Sequence, residues 1–172
     1  MNSKNKGNRW ERAVAAWLTE WTGYKFERNR AGSGSWWGNK DAGADITCTD
    51  TRHAHRCKLS IECKSYKDIR FEHVLLENKG CDIVKFWEQA CRDAKRTDKI
   101  PILCMRYNSM PKKEFFFVIQ SDMLLAFKPL LNQTHMTLKF GNHNVFIFMA
   151  SKVKSVVSYK LVHKEAKKLL RQ

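Results

Sequence analysis

The sequence predicts an α/β domain built around a mixed sheet. Apolar residues recur at helical spacing near the N-terminus and again after residue 80, and short apolar or alternating runs occupy the segments that follow each of them. The order helix, strands, helix, strands is typical of a sheet packed against helices. Because a chain of 172 residues is long enough to bury a core of its own, we expect one domain over residues 1–172.

The composition indicates a polyanionic partner. The chain carries 32 Lys and Arg against 17 Asp and Glu, a formal net charge of +15, while 43% of its residues are hydrophobic. That apolar content excludes a disordered basic tail, and a folded basic domain most often binds nucleic acid. The apolar runs are too short to span a bilayer, and residues 1–10 lack a secretory signal. We therefore expect an intracellular, cytoplasmic protein with no membrane partner and with reduced cysteines.

The first half of the chain predicts a helix followed by strands. Residues 8–21 carry one apolar stripe, and Gly23 follows as a helix stop. A short strand is expected at residues 24–28. Alternation predicts two further strands at residues 44–49 and 58–64, which a short polar connection joins as an antiparallel hairpin.

The second half predicts a helix and three buried strands. Residues 67–80 look irregular, and residues 81–95 carry a helical apolar stripe. Compact apolar runs predict the strands, at residues 100–105, 114–120 and 144–150. Residues 151–172 contain seven Lys and Arg and one Glu, so they either grip phosphates or form a solvated basic face, and the net charge favours the phosphates.

The alternation in the hairpin brings three charged side chains together. Asp45, Glu62 and Lys64 lie opposite the core residues of their strands, on faces expected to lie outside the core. Two carboxylates repel each other unless a cation lies between them, and Mg²⁺ prefers oxygen ligands. Three uses are open to the lysine: to orient a water, to help deprotonate it, or to stabilise charge on a phosphorane. This is the equipment for hydrolysing a phosphodiester.

These residues resemble the signature of the PD-(D/E)XK nucleases. The matching segments are Gly43-Ala-Asp45-Ile and Ile61-Glu62-Cys63-Lys64. Within that superfamily the sequence resembles the archaeal-type Holliday junction resolvases and their phage relatives. The further matching segments are Lys6-Gly-Asn-Arg-Trp-Glu11, Arg30-Ala-Gly-Ser33-Gly34, a helix with Gln89, and Pro101-Ile-Leu-Cys-Met-Arg106-Tyr. One departure is Gly43-Ala44 before the aspartate, where the superfamily motif has Pro before Asp.

The resemblance implies a restriction-endonuclease-like core with the element order αβββαβ. Its central mixed sheet would be flanked by helices within residues 1–107. Residues 108–172, which the resemblance does not match, would add strands and a basic helix to the same nuclease domain.

The resemblance also implies a metal site. Its ligands would be Asp45, Glu62, the main-chain carbonyl of Cys63 and, directly or through water, Glu11. The metal would be Mg²⁺, with Mn²⁺ able to replace it. Lys64 would act on the attacking water, Ser33 would approach the scissile phosphate, and Gln89 would support the site.

The predicted function is a Mg²⁺-dependent DNA endonuclease of recombination and repair, of phage or mobile-element origin. Its best substrate is a branched duplex such as a Holliday junction, and symmetric cutting of two strands implies a homodimer. The residues expected to contact DNA are Arg9, Arg30, Trp36, Trp37, Lys40 and Lys67. Two alternatives stay open: a restriction-like or repair nuclease acting on linear or damaged duplex, and a non-catalytic basic DNA-binding protein.

Two smaller features each allow two interpretations. Cys48, His53, His55 and Cys57 are zinc-ligand types, but their spacing matches no common zinc finger, and a buried thiol beside a basic loop is the simpler account. The adjacent tryptophans, Trp36 and Trp37, either stack on bases or cover the core.

Overall fold

In the part of the chain that the structure describes, residues 3–29, 43–77 and 81–172, seven strands form one mixed sheet. The structure is a computed structural model. Its strands are β1 (Phe26–Arg28), β2 (Ile46–Cys48), β3 (Leu59–Tyr66), β4 (Ile100–Tyr107), β5 (Phe116–Gln120), β6 (Met136–Phe140) and β7 (His143–Met149). Its helices are α1 (Ser3–Thr22), α2 (Glu72–Leu75), α3 (Asp82–Arg96), α4 (Leu124–Phe127), α5 (Ala150–Val156) and α6 (Tyr159–Leu169).

The sheet order is β1-β2-β3-β4-β5-β7-β6. Strands β3 and β4 are parallel, and α3 supplies the crossover between them, as a parallel pair requires. The other pairs are antiparallel, including the predicted β2–β3 hairpin. The order α1, β1, β2, β3, α3, β4 reproduces the predicted αβββαβ core, so the predicted fold class is confirmed.

Helices cover both faces of the sheet because the central strands are apolar on both faces. In β4, Ile102 and Cys104 pack into the core layer beneath α1. Leu103 and Met105, which alternate with them, pack into the layer beneath α3. A strand buried on both sides reads as a continuous apolar run, which is why the run at residues 100–105 is visible in the sequence.

Helix α1 ends where the sequence predicts. Gly23 has a φ of 73° and its N–H donates to the carbonyl of Thr19 at 3.0 Å, the left-handed helix end that glycine favours. The predicted N-terminal boundary was short, because the helix starts five residues earlier, at Ser3. Near its C-terminus, Trp21 Nε1 donates to the carbonyl of Val157 at 2.8 Å, which ties α1 to the last third of the chain.

The C-terminal third adds three strands and two basic helices to this core. The predicted strands at residues 114–120 and 144–150 are β5 and β7. Strand β6 was not predicted; it is an edge strand on which only Leu138 is buried. The basic segment forms α5 and α6, and α6 packs against α1 and α4. No helix among the described residues is both long and apolar enough to cross a bilayer.

Candidate active site

Asp45 lies at the entrance to β2 and is fixed by main-chain bonds on both sides. Its N–H donates to the carbonyl of Ile61 at 3.0 Å, and its carbonyl accepts from the N–H of Asn29 at 2.8 Å. Its side chain turns toward β3, where Oδ2 accepts the N–H of Cys63 at 2.8 Å. The carboxylate is therefore held beside the Glu62-Cys63-Lys64 segment that the sequence pattern singled out.

Gly43 lets the chain approach α3 closely just before Asp45. A Cβ at this position would lie 3.2 Å from the carbonyl oxygen of Asp93 and 3.3 Å from its Cβ. Both contacts are tighter than packing normally allows, and one of them is main chain, so a side chain would displace the segment that carries Asp45.

Glu62 lies in the middle of β3 with its side chain under α3. Its Oε1 accepts from Lys64 Nζ at 2.6 Å and from Gln89 Nε2 at 2.7 Å. Asp45, Glu62 and Lys64 are brought together as the alternation predicts. The expectation that Glu62 faces away from the core was wrong: it is 2% exposed, because α3 covers this face and also buries Ser60.

Lys64 is held as an ammonium. Its side chain is half-buried, with Nζ 5.8 Å from the centre of the Phe86 ring. Burial lowers the pKa of Lys64, but the charge of Glu62 and the hydrogen bond to it outweigh burial, so the net shift is upward. Of the three uses left open by the sequence, orientation of a water and stabilisation of charge are those that suit the charged form of the lysine.

Like charges disfavour ionisation of both carboxyl groups. Burial, followed by the charge of Asp45, raises the pKa of Glu62 to about 7. Burial and the charges of Glu11 and Asp93 raise the pKa of Asp45, although the N–H of Cys63 and the charge of Lys64 oppose the rise. Repulsion between neighbouring carboxylates is relieved when a cation binds between them.

Glu11 reaches the site from α1 and is paired with a cation. Its carboxylate accepts from Arg28 Nε, and both side chains are half-buried. The charge of Glu11 contributes to the raised pKa of Asp45, which places it near that carboxyl group. Arg28 was not predicted as a site residue. Strand β1 pairs it with Ile46, the residue that follows Asp45, and so brings it to the site.

Helix α3 contributes two polar residues to the covered face. Gln89, expected to support the site, donates directly to Glu62. Asp93, one turn further along, was missed; it is buried, forms an ion pair with Arg96 at 3.1 Å, and raises the pKa of both Asp45 and Glu62. Asp93 follows Gln89 by four residues, which places the two on one face of the helix. This spacing could have predicted Asp93 as a site residue.

The oxygen donors of the site fit a hard divalent cation. Glu62 is a buried carboxyl group and Asp45 a half-buried one, and a cation would relieve the repulsion between them. The main-chain carbonyl of Cys63 follows Glu62 on β3 and offers a further oxygen. Within residues 3–29, 43–77 and 81–172, no group of three or more His, Cys, Asp and Glu side chains is arranged to hold a metal. Main-chain oxygen and water commonly complete the shell of Mg²⁺.

The residues predicted to contact DNA fall into two groups. Arg9, on α1, and Lys67, just beyond β3, are exposed. The others, together with the predicted catalytic Ser33, lie outside the described residues: Arg30, Trp36, Trp37 and Lys40.

The Cys/His cluster forms no zinc site among the described residues. His55 is exposed, and its Nε2 accepts from Arg56 Nε at 2.9 Å. His53 is buried instead, stacked on Tyr24, with its Nε2 2.6 Å from the hydroxyl of Tyr159. This histidine joins the β2–β3 connection to α6, while Cys48 and Cys57 are buried free thiols.

Comparison with known proteins agrees with this geometry. The family described as "Phage putative PDDEXK endonuclease" matches residues 2–164. Protein D14 of Escherichia phage T5 is 27% identical over 147 residues, which cover 86% of this chain and 88% of that protein. No solved structure matches the chain. Because the family match extends from the first turns of α1 into α6 and includes Asp45, Glu62 and Lys64, the chain belongs to this family of phage PD-(D/E)XK endonucleases.

Proposed function

We propose that this protein is a divalent-metal-dependent endonuclease that hydrolyses phosphodiester bonds in DNA, with Mg²⁺ as its metal and Mn²⁺ as a substitute. The observation that carries the proposal is the grouping of Asp45, Glu62 and Lys64 at the β2–β3 junction, with Glu62 buried, Asp45 half-buried and the lysine charged. The formal net charge of +15 supports DNA as the substrate.

Lys64 stabilises the charge that develops on the phosphate during hydrolysis. Its ammonium is held at the end of a half-buried side chain, so its attraction for an anion is screened less than that of a surface lysine. Gln89 and Lys64 both bind Glu62 Oε1, and they keep this carboxylate in one orientation.

Asp45, Glu62 and the carbonyl of Cys63 hold the divalent cation, and Glu11 takes part directly or through water. When bound, such a cation supplies Lewis-acid polarisation of the phosphate and lowers the pKa of water. Helix α3 keeps bulk solvent away from Glu62, which strengthens every charge interaction at this carboxylate. The products are 5′-phosphate and 3′-hydroxyl ends.

The proposed substrate is a branched duplex, in particular a four-way junction. The resemblance to junction resolvases supports this choice. A junction offers a shape rather than a sequence, so discrimination requires two active sites at a fixed spacing on a basic surface, and hence a homodimer. We place Trp36 and Trp37 against the branch and Ser33 at the scissile phosphate.

The test is a cleavage assay in Mg²⁺ on a four-way junction, a linear duplex with the same arms, and a single strand. We expect cuts at symmetric positions on opposing strands of the junction, and a Trp36→Ala/Trp37→Ala variant that discriminates less between junction and duplex. Equal cleavage of junction and duplex would support the restriction-like or repair alternative. Tight binding without cleavage in either Mg²⁺ or Mn²⁺ would support a non-catalytic DNA-binding protein.

A further inference from the structure

We propose that a basic groove beside the N-terminal half of α1 binds a backbone phosphate of the same DNA that presents a phosphate to Lys64. This inference rests on the proposed function. The groove, hereafter the α1 groove, encloses about 330 Å³. The lining residues used in the argument are Lys6, Arg9, Trp10, Ser65, Arg106 and Lys112.

The α1 groove holds positive charge without a neutralising carboxylate. Its described lining includes four cationic side chains and no Asp or Glu. Lys6 binds the neutral side chain of Asn108, and Arg106 binds main-chain carbonyls. The neighbouring cavities beside α1 differ in this respect, because Glu27 lines one and Glu20 the other. Uncompensated positive charge in a concave surface attracts an anion.

Arg106 is held in place before any ligand binds. Its Nη2 donates to the carbonyl of Met110 at 3.0 Å and its Nη1 to that of Lys112 at 3.2 Å. Its guanidinium lies 5.2 Å from the centre of the Trp10 ring. Trp10 is itself 6% exposed and packs edge-on against Phe115. A cation fixed in this way loses little conformational entropy when it contacts a phosphate.

The β3–β4 register places the α1 groove one residue pair beyond Lys64, on the opposite face of the sheet. Ser65 pairs with Arg106, one position beyond the pair Lys64 and Met105. Because side chains alternate along a strand, Ser65 and Arg106 lie on the α1 face of the sheet, whereas Lys64 lies on the α3 face. DNA that presents a phosphate to Lys64 and passes over this end of β3 reaches the α1 groove on the other face.

Contacts of this kind position the DNA backbone without reading its sequence. The α1 groove should therefore contribute to affinity and register on the substrate. It should leave the chemical step largely unchanged, because the groove binds the same phosphate before and during the reaction.

The test uses the double variant Arg9→Gln/Lys112→Gln in an Asp45→Asn background, so that binding is measured without cleavage. Duplex affinity is measured over a range of salt concentrations. We expect about a tenfold or greater loss of affinity at low salt, and a log–log salt slope that is smaller by about one, since one phosphate contact contributes about 0.9. The matched control is Lys128→Gln/Lys139→Gln, which removes two exposed lysines, one directly after α4 and one on β6, and should leave the slope unchanged.

A second measurement asks whether the lost charges contact a phosphate. Four-way junctions, whose branch fixes the register of the bound protein, each carry one uncharged methylphosphonate linkage and are bound by the Asp45→Asn protein and by its groove variant. At one or two adjacent linkages, removal of the phosphate charge should weaken DNA binding by the Asp45→Asn protein. The same removal should not weaken DNA binding by the groove variant any further. An unchanged salt slope, or the same sensitivity at every linkage in both proteins, would overturn the inference.

Cleavage of the same junctions, and of a linear duplex, by the wild-type protein in Mg²⁺ separates this inference from the proposed function. If the wild type cleaves and the groove variant binds normally, the α1 groove is not a phosphate site and the nuclease function stands. If the groove variant loses affinity at specific linkages but the wild type cleaves nothing, the phosphate site stands and the nuclease function falls.

Discussion

Lys64 Nζ and Gln89 Nε2 bind the same carboxylate oxygen, Oε1 of Glu62, at 2.6 and 2.7 Å. One donor comes from β3 and the other from α3, and the acceptor is nearly inaccessible to solvent. Asp45 Oδ2 is fixed in the same region by the N–H of Cys63. Strand β3 and helix α3 thus orient the Glu62 carboxylate before any ligand is present. A catalytic site needs side chains that are held in place in this way.

The Gln89 contact predicts a positioning role. Replacing Gln89 with Met keeps the volume but removes a donor, so Glu62 becomes less well oriented. The maximal cleavage rate, the Mg²⁺ affinity or both should fall by about 10–100-fold, as is typical for partners of metal ligands. Rates over a Mg²⁺ titration measure this, with Glu88→Met on the exposed face of α3 as the control. If both variants cleave like the wild type, Gln89 does not position Glu62.

The raised pKa of Lys64 predicts an electrostatic role in the chemical step. Lys64→Met should lower the single-turnover rate at saturating Mg²⁺ by about 10²–10³-fold, the usual loss for one charge-stabilising donor. Lys67→Met removes an exposed charge nearby and should weaken DNA binding without changing the saturated rate. Full recovery of the Lys64→Met rate at high Mg²⁺ would show that the lysine serves only metal binding.

The pKa of Glu62 predicts a pH-dependent stability. Burial raises this pKa from 4.5 to about 7, so the native state binds more protons than the unfolded state between these values. The metal-free protein should therefore lose stability as the pH rises through this window. Urea unfolding from pH 4.5 to 8 measures the effect, which Glu62→Gln should reduce. Mg²⁺ should stabilise the wild type more at pH 8 than at pH 5.5, and identical pH profiles for wild type and Glu62→Gln would contradict this explanation.

The bond between His53 and Tyr159 predicts a link between the core and α6. The two side chains are buried and their polar atoms lie 2.6 Å apart, so Tyr159→Phe leaves a ring nitrogen of His53 without its partner. The cost should be about 1–3 kcal/mol in the free energy of unfolding. Urea denaturation measures it against Tyr107→Phe, whose ring packs on Phe116 at the end of β4. If the two variants have equal free energies of unfolding, the bond between His53 and Tyr159 does not contribute to stability.

Local patterns sufficed to predict much of the fold and the grouping of the charged residues. The alternation in β3 placed Glu62 and Lys64 on one face because strand periodicity depends only on sequence spacing. The burial of that face could not be predicted in this way. It depends on how α3 crosses from β3 to β4, and on the close approach of Gly43 to Asp93, which are contacts between distant parts of the chain.

The features that sequence reasoning missed differ in the strength of their local signals. Strand β6 does alternate apolar and polar residues, Met-Thr-Leu-Lys-Phe, and this short signal was overlooked; of its side chains Leu138 is buried and Phe140 half-buried. Arg106 belongs to a segment that the resemblance identified, but its place beside Trp10 follows from the packing of α1 on the sheet. Arg28 became visible as a partner of Glu11 only once β1 was positioned against α1.

The central claim is that Asp45 and Glu62 bind the metal that enables DNA hydrolysis, and it is tested most directly by Mg²⁺-dependent cleavage measured alongside DNA binding. Wild type, Asp45→Asn and Glu62→Gln are compared on one labelled junction, with Asp122→Asn, an exposed acid after β5, as the control. We expect the wild type and the control to cleave the junction in Mg²⁺, and we expect cleavage to stop when EDTA removes the Mg²⁺. The two site variants should lose most cleavage while binding DNA at least as tightly, because a negative charge is removed and the cations that contact phosphates remain. Near wild-type turnover in either site variant, or cleavage that persists in EDTA, would contradict it.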